Sequence, residues 1–416
     1  MIAKISAPQK PIRVTINLPA SKSLSNRALI IRALSGKDFE PDSYRVENLS
    51  EAQDTKILLN AIQSSDKTID VGAAGTAMRF LTAYFAVTEG EKILTGTERM
   101  KQRPIAPLVE ALISLGADIE YLENTGFPPI RIKGKQLTKN EVAVDGTISS
   151  QFLSALLMIA PVLENGLTIK IKGNLVSKPY AEMTIALMKH FGISVSWKEK
   201  IIEVRHQKYL PQLYKVEPDW SAAAFWYSVV ALSKDAEITL PGLHQNSLQG
   251  DSVLPELMKQ FGVETEFNQN GITLRQSLIV NRQSSIKIDF TNFPDLAQSL
   301  TVVAAALDLQ IQFSGIENLK VKETDRIAAL QTELEKFGIE FVKEGSYYTL
   351  KGKFKKSEQT IETYDDHRMV MAFAPLAWIC GSISIENPET VKKSYPKFWE
   401  DLKSATWQLL QVNKKA

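Results

Sequence analysis

Lysine, arginine and serine side chains cluster where polar residues give way to apolar, helix-like runs. In SKSLSNRAL, Lys22, Ser23 and Arg27 surround such a helix start. The first turn of a helix presents unpaired N–H groups and a partial positive charge, so it favours anions and disfavours cations. The cations placed here therefore predict a bound phosphate or carboxylate. The plainer alternative is a pair of solvated charges.

Other segments of the N-terminal half offer groups of the same kind. GAAGTAMR supplies a glycine that lets the backbone approach a ligand closely, and RMKQRPI supplies cations in a loop. SSQFLSA and LVSKPY supply neutral donors suited to phosphate or hydroxyl oxygens. The candidates in these segments are Gly75, Arg103, Ser149, Ser150, Gln151 and Ser177. Each segment taken alone also fits a helix cap, a tight turn or a solvated surface.

The C-terminal half adds carboxylates to the cations. In VKETDRIAAL, the spacing of Lys322, Glu323 and Arg326 predicts one helix that carries all three on neighbouring faces. An intrahelical salt bridge is the alternative for that segment. Further candidates at or before helix starts are Asp295 in PDLAQSL, Arg368 in DDHRMVM and Lys393 in KKSYPKF. An N-cap is the alternative role for the aspartate.

The helix starts recur along the chain, which indicates an internal repeat with a period of roughly 70 residues. Six starts are found, near Ser21, Gly75, Ser149, Asp219, Asp295 and Asp366. Four further helices each end at a glycine before an alternating strand, at Gly116, Gly192, Gly262 and Gly338. The repeating unit is therefore predicted to hold two helices and about four strands, with a shortened first copy.

At 416 residues the chain exceeds the usual size of a single hydrophobic core, so two domains of three units each are predicted. The N-terminal domain is expected to span residues 20–217. Residues 1–19 and 218–416 are expected to form the C-terminal domain, with the strand RVTINLP belonging to that half. The active site is expected in the cleft between the two domains.

Composition excludes several classes of protein. Hydrophobic residues make up 44% and charged residues 23%, which is typical of a soluble globular protein. A net charge of only +2 argues against a nucleic-acid binder. The single cysteine excludes a disulfide framework and a multi-cysteine metal site. No membrane-spanning run or secretory signal is recognised. We expect a cytoplasmic monomer.

The ordered motifs resemble those of the 5-enolpyruvylshikimate-3-phosphate (EPSP) synthase family over nearly the whole chain: LPASKSLSNRAL, AGTAMR, RMKQRPI, VDGTISSQFLSALLM, IKGNLVSKPY, PDLAQS, VKETDR, YDDHRM and KKSYPKF. The resemblance implies an α/β (α+β) fold, a two-domain inside-out barrel with three βαβαββ repeats per domain, six in total. It implies transfer of the enolpyruvyl group of phosphoenolpyruvate to the 5-hydroxyl of shikimate 3-phosphate, releasing phosphate, in chorismate and aromatic amino-acid biosynthesis. No metal or organic cofactor is implied.

The resemblance also implies roles for individual residues. Those around phosphoenolpyruvate would be Lys22, Gly75, Arg103, Gln151, Arg326, Arg368 and Lys393. Those that hold shikimate 3-phosphate would be Lys22, Ser23, Arg27, Ser149, Ser150, Gln151, Ser177, Asp295, Asn318 and Lys322. For catalysis, Asp295 is expected to be the base for the hydroxyl and Glu323 the principal proton donor to the methylene carbon, with Lys22 as a further proton relay.

Several positions depart from the family pattern, among them the EPDWSAA stretch and the short segment after Ser35. Ala73 stands where the family commonly has Asn, which removes a contact to phosphoenolpyruvate, and Phe80 stands where it has Pro. Two alternatives remain at this point. One is UDP-N-acetylglucosamine enolpyruvyl transferase, which shares the fold but generally uses a loop cysteine or aspartate, whereas Cys380 lies in an apolar run. The other is a non-catalytic binder of phosphorylated metabolites, against which the retained acids argue.

Overall fold

The computed structural model describes residues 1–8, 10–36, 45–147, 150–277 and 286–412, with the backbone alone for residues 411 and 412. The chain divides into two compact units. The N-terminal unit comprises Ala20–Val216. The C-terminal unit comprises Met1–Pro19 together with Glu217–Ala416.

Strands and helices alternate along both units. The strands are β1 (Ile2–Ser6), β2 (Ile12–Thr15), β3 (Val46–Glu47), β4 (Thr68–Asp70), β5 (Gly90–Thr95), β6 (Asp118–Tyr121), β7 (Ile130–Gly134), β8 (Glu141–Asp145), β9 (Leu167–Lys172), β10 (Val195–Lys198), β11 (Ile201–Val204), β12 (Tyr214–Lys215), β13 (Ala236–Pro241), β14 (Val263–Asn268), β15 (Gly271–Gln276), β16 (Ile286–Asp289), β17 (Ile311–Ser314), β18 (Ile339–Glu344), β19 (Tyr347–Gly352), β20 (Ser382–Glu386) and β21 (Gln408–Val412). The α-helices are α1 (Lys22–Leu34), α2 (Gln53–Gln63), α3 (Gly75–Val87), α4 (Glu98–Lys101), α5 (Ala106–Ser114), α6 (Ser150–Ile159), α7 (Lys178–His190), α8 (Trp220–Leu232), α9 (Leu254–Lys259), α10 (Ala297–Ala306), α11 (Arg326–Glu335), α12 (His367–Phe373), α13 (Ala377–Cys380) and α14 (Phe398–Ser404).

One strand order recurs in the four-stranded sheets. The N-terminal unit contains β4-β5-β7-β6 and β8-β9-β11-β10, and the C-terminal unit contains β2-β13-β15-β14 and β16-β17-β19-β18. In each sheet the first two strands are parallel, and the remaining pairs are antiparallel. The parallel pair requires a crossover helix, and the antiparallel pair closes as a hairpin. This is the predicted βαβαββ repeat, and the predicted α/β fold is confirmed.

Two smaller sheets are variants of the same repeat. In β20-β1-β21, the N-terminal strand β1 lies between the two late strands and is antiparallel to both. Ile361 forms a parallel bridge with Ile385 of β20, so this sheet has the same spatial order as the others, with β1 in the third place and β21 in the fourth. Among the described residues, the first repeat retains the parallel pair of β3 and β12.

The helices that begin at the predicted anion-binding motifs lie inside the units. In the N-terminal unit α1, α3 and α6 pack against one another, and in the C-terminal unit α8, α10 and α12 do so. Every residue of α10 and α12 is buried, as expected for helices that are apolar on all sides. The strands instead alternate: in β9, Leu167, Ile169 and Ile171 are buried while Lys170 and Lys172 are exposed. Each unit therefore buries its central helices behind sheets with a solvated face.

The helix ends are as predicted, with one exception. Gly116, Gly192, Gly262 and Gly338 follow helix ends with positive φ, which the absence of a Cβ atom permits. The prediction of a single helix from Lys322 through Arg326 is wrong. Helix α11 begins only at Arg326, because the Asp325 carboxylate accepts hydrogen bonds from the backbone N–H groups of residues 327 and 328 and caps the helix there.

Candidate active site

In the N-terminal unit, Arg27 lies buried in a cage of neutral acceptors. Its Nε donates to Thr184 Oγ1 at 2.7 Å, one terminal nitrogen donates to the Ser23 carbonyl at 2.9 Å, and the other donates to Ser154 Oγ at 3.0 Å. The guanidinium carbon lies 5.3 Å from the centre of the Phe80 ring. Burial lowers the pKa of Arg27 to about 10. Within the described part of the chain it forms no salt bridge, so its charge is available to an anion.

Lys22, at the first position of α1, forms a salt bridge with Asp54 in the first turn of α2. The Nζ to Oδ2 distance is 2.9 Å, and the side chains are 16% and 8% exposed. The carboxylate neutralises part of the lysine charge and fixes the direction of a flexible side chain. Sequence reasoning missed Asp54, because an acidic residue in a first helical turn is common and carries no signal of its partner.

Gly75 and Arg103, predicted separately, come together at the start of α3. A Cβ atom added to Gly75 would lie 2.6 Å from the terminal nitrogens of Arg103. Arg103 is 5% exposed, and its Nε has no hydrogen-bond partner among the described residues. An unpartnered buried guanidinium nitrogen is costly unless a ligand completes it. The glycine therefore makes the room that lets the arginine face a helix start.

The hydroxyl and amide candidates of this unit occupy two further helix starts. Ser150 is buried at the first position of α6, and Gln151 beside it and Ser23 in α1 are half-buried. Ser177 is buried and precedes α7 with a left-handed backbone, φ +56°, a conformation that non-glycine residues rarely adopt outside turns and functional sites. Ser149 lies outside the described residues.

In the C-terminal unit, Arg326 is the centre of a network of three carboxylates. Its Nε donates to Asp366 Oδ2 at 2.7 Å, and its terminal nitrogens donate to Glu323 Oε2 at 2.9 Å and to Asp295 Oδ1 at 3.4 Å. Burial by itself lowers the pKa of Arg326, but the carboxylates outweigh it and raise the pKa above its ordinary value. The arginine is thus held permanently charged.

Asp295 also binds Arg368, at the second position of α12. Arg368 donates to Asp295 Oδ2 at 2.9 Å and to the Asp295 carbonyl at 3.0 Å. The N-cap positions of the 3-10 turn Pro294–Leu296 and of α10 are Phe293 and Leu296, so Asp295 is the N-cap of neither. Burial raises the pKa of Asp295, but Arg368, Lys322 and Arg326 together outweigh it and hold the pKa well below its usual range. The network therefore fixes an ionised carboxylate beside Glu323.

The remaining C-terminal candidates have less direct links to this network. Lys322 contributes to the electrostatic field on Asp295. The Asn318 side-chain oxygen is buried and has no hydrogen-bond partner among the described residues. Lys393 Nζ donates to the Asp365 carbonyl at 2.6 Å, in the turn before α12. Asp366, quoted in the DDHRM motif but given no role, is both the N-cap of α12 and the strongest partner of Arg326.

Comparison with known proteins identifies first the fold and then the family. An EPSP synthase structure from Acinetobacter baumannii superposes with a TM-score of 0.75 at 22% sequence identity and covers 99% of this chain and 100% of its own. Residues 60–402 match the family EPSP synthase (3-phosphoshikimate 1-carboxyvinyltransferase). A Bacteroides fragilis protein named 3-phosphoshikimate 1-carboxyvinyltransferase is 49% identical over 96% of this chain and 97% of its own.

A second protein of that name, from Vibrio campbellii, is 36% identical over 95% of this chain and 98% of its own. Sequence similarity of this extent over nearly the full length shows homology. The chain belongs to the EPSP synthase family. In the described part of the chain, no helix combines the length and the apolar character that crossing a membrane requires.

Proposed function

We propose that this protein transfers the enolpyruvyl group of phosphoenolpyruvate to the 5-hydroxyl of shikimate 3-phosphate and releases inorganic phosphate. Family membership supports this reaction. The observation that carries it is the network in which Arg326 and Arg368 hold Asp295 beside Glu323. It combines a fixed base, a second carboxyl group and two cations, which are the groups that the transfer requires.

Asp295 is proposed as the base. Its side chain is 22% exposed, more than the other two carboxylates on Arg326, so a substrate hydroxyl has access to it. The surrounding cations make the free carboxylate a weak base. Anionic substrates that bind to Arg368 and Lys322 offset those charges and raise the proton affinity of Asp295. The base is therefore strengthened when the substrates are in place.

Glu323 is proposed as the principal proton donor, with Lys22 as a further relay. A proton is added to the methylene carbon of phosphoenolpyruvate while the 5-hydroxyl oxygen bonds to the neighbouring carbon and gives its proton to Asp295. The Glu323 carboxylate then takes back a methyl proton, the double bond re-forms, and phosphate departs with the electrons of its carbon–oxygen bond. A substrate carboxylate that binds to Arg326 weakens the 2.9 Å contact between Arg326 and Glu323. Weakening that contact favours the protonated form of Glu323, which is the form that donates.

The groups of the N-terminal unit are proposed to bind the substrate anions. Shikimate 3-phosphate would interact with Arg27, Ser23, Ser150, Gln151 and Ser177, and phosphoenolpyruvate with Lys22, Gly75 and Arg103. Arg27 and Arg103 are buried cations that lack a salt bridge within the described residues. Such cations are stabilised by an incoming phosphate or carboxylate. We further propose that the protein is a cytoplasmic monomer. Its N-terminal domain would span residues 20–217 and its C-terminal domain residues 1–19 and 218–416, and both would act on the same pair of substrates.

A phosphate-release assay tests the reaction directly. The purified chain should release phosphate only when shikimate 3-phosphate and phosphoenolpyruvate are both present. Phosphoenolpyruvate alone, or with UDP-N-acetylglucosamine, should give none. Asp295→Asn and Glu323→Gln should each lower kcat by about 100-fold or more, because each removes a proton-transfer group and little volume. If the wild type binds shikimate 3-phosphate without releasing phosphate, the non-catalytic binder is the better account.

A further inference from the structure

Asp251 is a buried carboxyl group that the reaction as described does not use. The turn that carries it and the turn that carries Asp295 both contact α8, and the two carboxyl groups interact electrostatically. Asp251 lies in the 3-10 turn Gly250–Val253 and is 3% exposed. The Ser221 hydroxyl at the start of α8 donates a short hydrogen bond to its Oδ2. Its Oδ1 is buried and has no hydrogen-bond partner among the described residues. A carboxylate with one oxygen unsatisfied is costly to bury in its charged form.

Three charged groups on the surrounding elements interact electrostatically with Asp251. Asp295 precedes α10 and Asp219 caps α8, and both carry negative charge, whereas Arg368 of α12 carries the positive charge. Arg368 is engaged by Asp295 at 2.9 Å. Burial is the largest cause that raises the pKa of Asp251, to about 7, and the charge of Asp295 adds to it. The two carboxyl groups thus differ in charge near neutral pH, Asp295 ionised and Asp251 partly neutral.

Segment 249–251 is held firmly against α8. The Gln249 side chain donates to the Pro218 carbonyl at 2.7 Å and accepts from the Trp220 backbone N–H at 3.1 Å. With the backbone held in this way, the Asp251 side chain could turn outward only by losing its hydrogen bond from Ser221. Its response to rising pH is to ionise in place, in the field of Arg368.

We propose that Asp251 is a positioning residue for the Asp295–Arg368 pair. While neutral, Asp251 leaves this pair intact; once ionised, it attracts the Arg368 guanidinium and weakens the pair. The proposal rests on the proposed function only for its kinetic consequence. An ionised Asp251 reduces the positive charge that Arg368 offers to a substrate anion. The KM for phosphoenolpyruvate should therefore rise with pH through the neutral range, while kcat, measured with the site already filled by anions, changes less.

Asp251→Asn is the decisive variant, because it keeps the shape and the acceptor for Ser221 but cannot ionise. In the wild type, the KM for phosphoenolpyruvate should rise about threefold or more between pH 6 and pH 8.5. In the variant that rise should disappear, with kcat at pH 6 within about twofold of wild type. Parallel KM profiles in the two proteins would overturn the proposal.

Ser221→Ala provides a second variant in case Asp251→Asn does not fold. The serine hydroxyl stabilises the ionised form of Asp251, so its loss should move the rise in KM to higher pH. An unmoved transition in Ser221→Ala would count against the role assigned to Asp251.

A stability measurement tests the ionisation of Asp251 without enzyme activity. A group with a raised pKa in the folded state stabilises the protein at acid pH, and that stability is lost as the pH rises through the folded pKa. The melting temperature of Asp251→Asn relative to wild type should therefore rise between about pH 4 and pH 7 and level off above it. A constant difference across this range would refute the proposal, whereas absent phosphate release from the wild type would refute only the proposed function.

Discussion

Two buried arginines show how partners decide what a cation can do. Arg27 is surrounded by hydroxyl and carbonyl oxygens, and burial lowers its pKa to about 10. Arg326 is equally buried, but three carboxylates raise its pKa. The first arginine has charge to offer an anion. Arg326 donates hydrogen bonds to three carboxylates, so it orients the proposed base Asp295 and the proposed acid Glu323 as well as offering charge to the substrate.

Phe80 gives a residue-scale prediction about Arg27. The ring lies 5.3 Å from the guanidinium in a buried setting, where a cation–π contact contributes on the order of 1–2 kcal/mol. Phe80→Leu keeps an apolar side chain but removes the ring face. The KM for shikimate 3-phosphate should rise about tenfold, the equivalent of about 1.4 kcal/mol, as measured by steady-state phosphate release.

A matched control separates the ring face from the loss of core volume. Phe191 is fully buried in the same hydrophobic core and is in ring contact with His190 and Tyr214. Phe191→Leu should lower the melting temperature and leave the KM unchanged. If both variants alter the KM alike, Phe80 acts only through packing.

At the scale of the element, the helix starts carry the site, and local sequence predicts them well. Polar caps followed by apolar runs determine where α1, α8 and α12 begin, because both signals lie within a few residues. Partners across the fold cannot be predicted in this way. Nothing near Asp251 in the chain reveals Ser221, and Asp366 has no local sign that it binds Arg326.

The start of α11 shows the same limit within one motif. The charges of VKETDR at helical spacing suggested a helix through the whole segment, yet the capping carboxylate of Asp325 begins it at Arg326. A cap overrides spacing, because it satisfies two N–H groups that would otherwise lack partners. Glu323 therefore precedes the helix, and its carboxylate accepts a hydrogen bond from Arg326 at 2.9 Å.

Asp325 gives an element-scale prediction. Asp325→Ala removes the cap and should lower the free energy of unfolding by about 1 kcal/mol, read from the midpoint of urea denaturation. Asp325→Ser is the control, because a serine oxygen can accept the same bonds and should restore most of the loss. Equal midpoints for alanine and wild type would show that α11 starts where it does for another reason.

At the scale of the whole molecule, chain order and spatial order differ. Strands β1 and β2 precede the other strands in sequence, yet β1 lies between β20 and β21, and β2 pairs with β13. The C-terminal unit thus depends on Met1–Pro19, although the N-terminal unit separates the two segments in sequence. Such long-range pairings form late and slowly during folding, because a large loop must close before they yield stability.

Strand β1 therefore gives the prediction for the whole molecule. Ile5 is 1% exposed in the core of the C-terminal unit, so Ile5→Ala should cost about 2–4 kcal/mol there. Lys4→Ala, one residue away on the exposed face, should change stability by less than about 0.5 kcal/mol. Hydrogen exchange read by mass spectrometry should show faster exchange in residues 217–412 of the Ile5 variant and unchanged protection in residues 20–216. Equal loss of protection in both units would mean that they unfold as one, and that β1 stabilises the whole chain rather than the unit it completes.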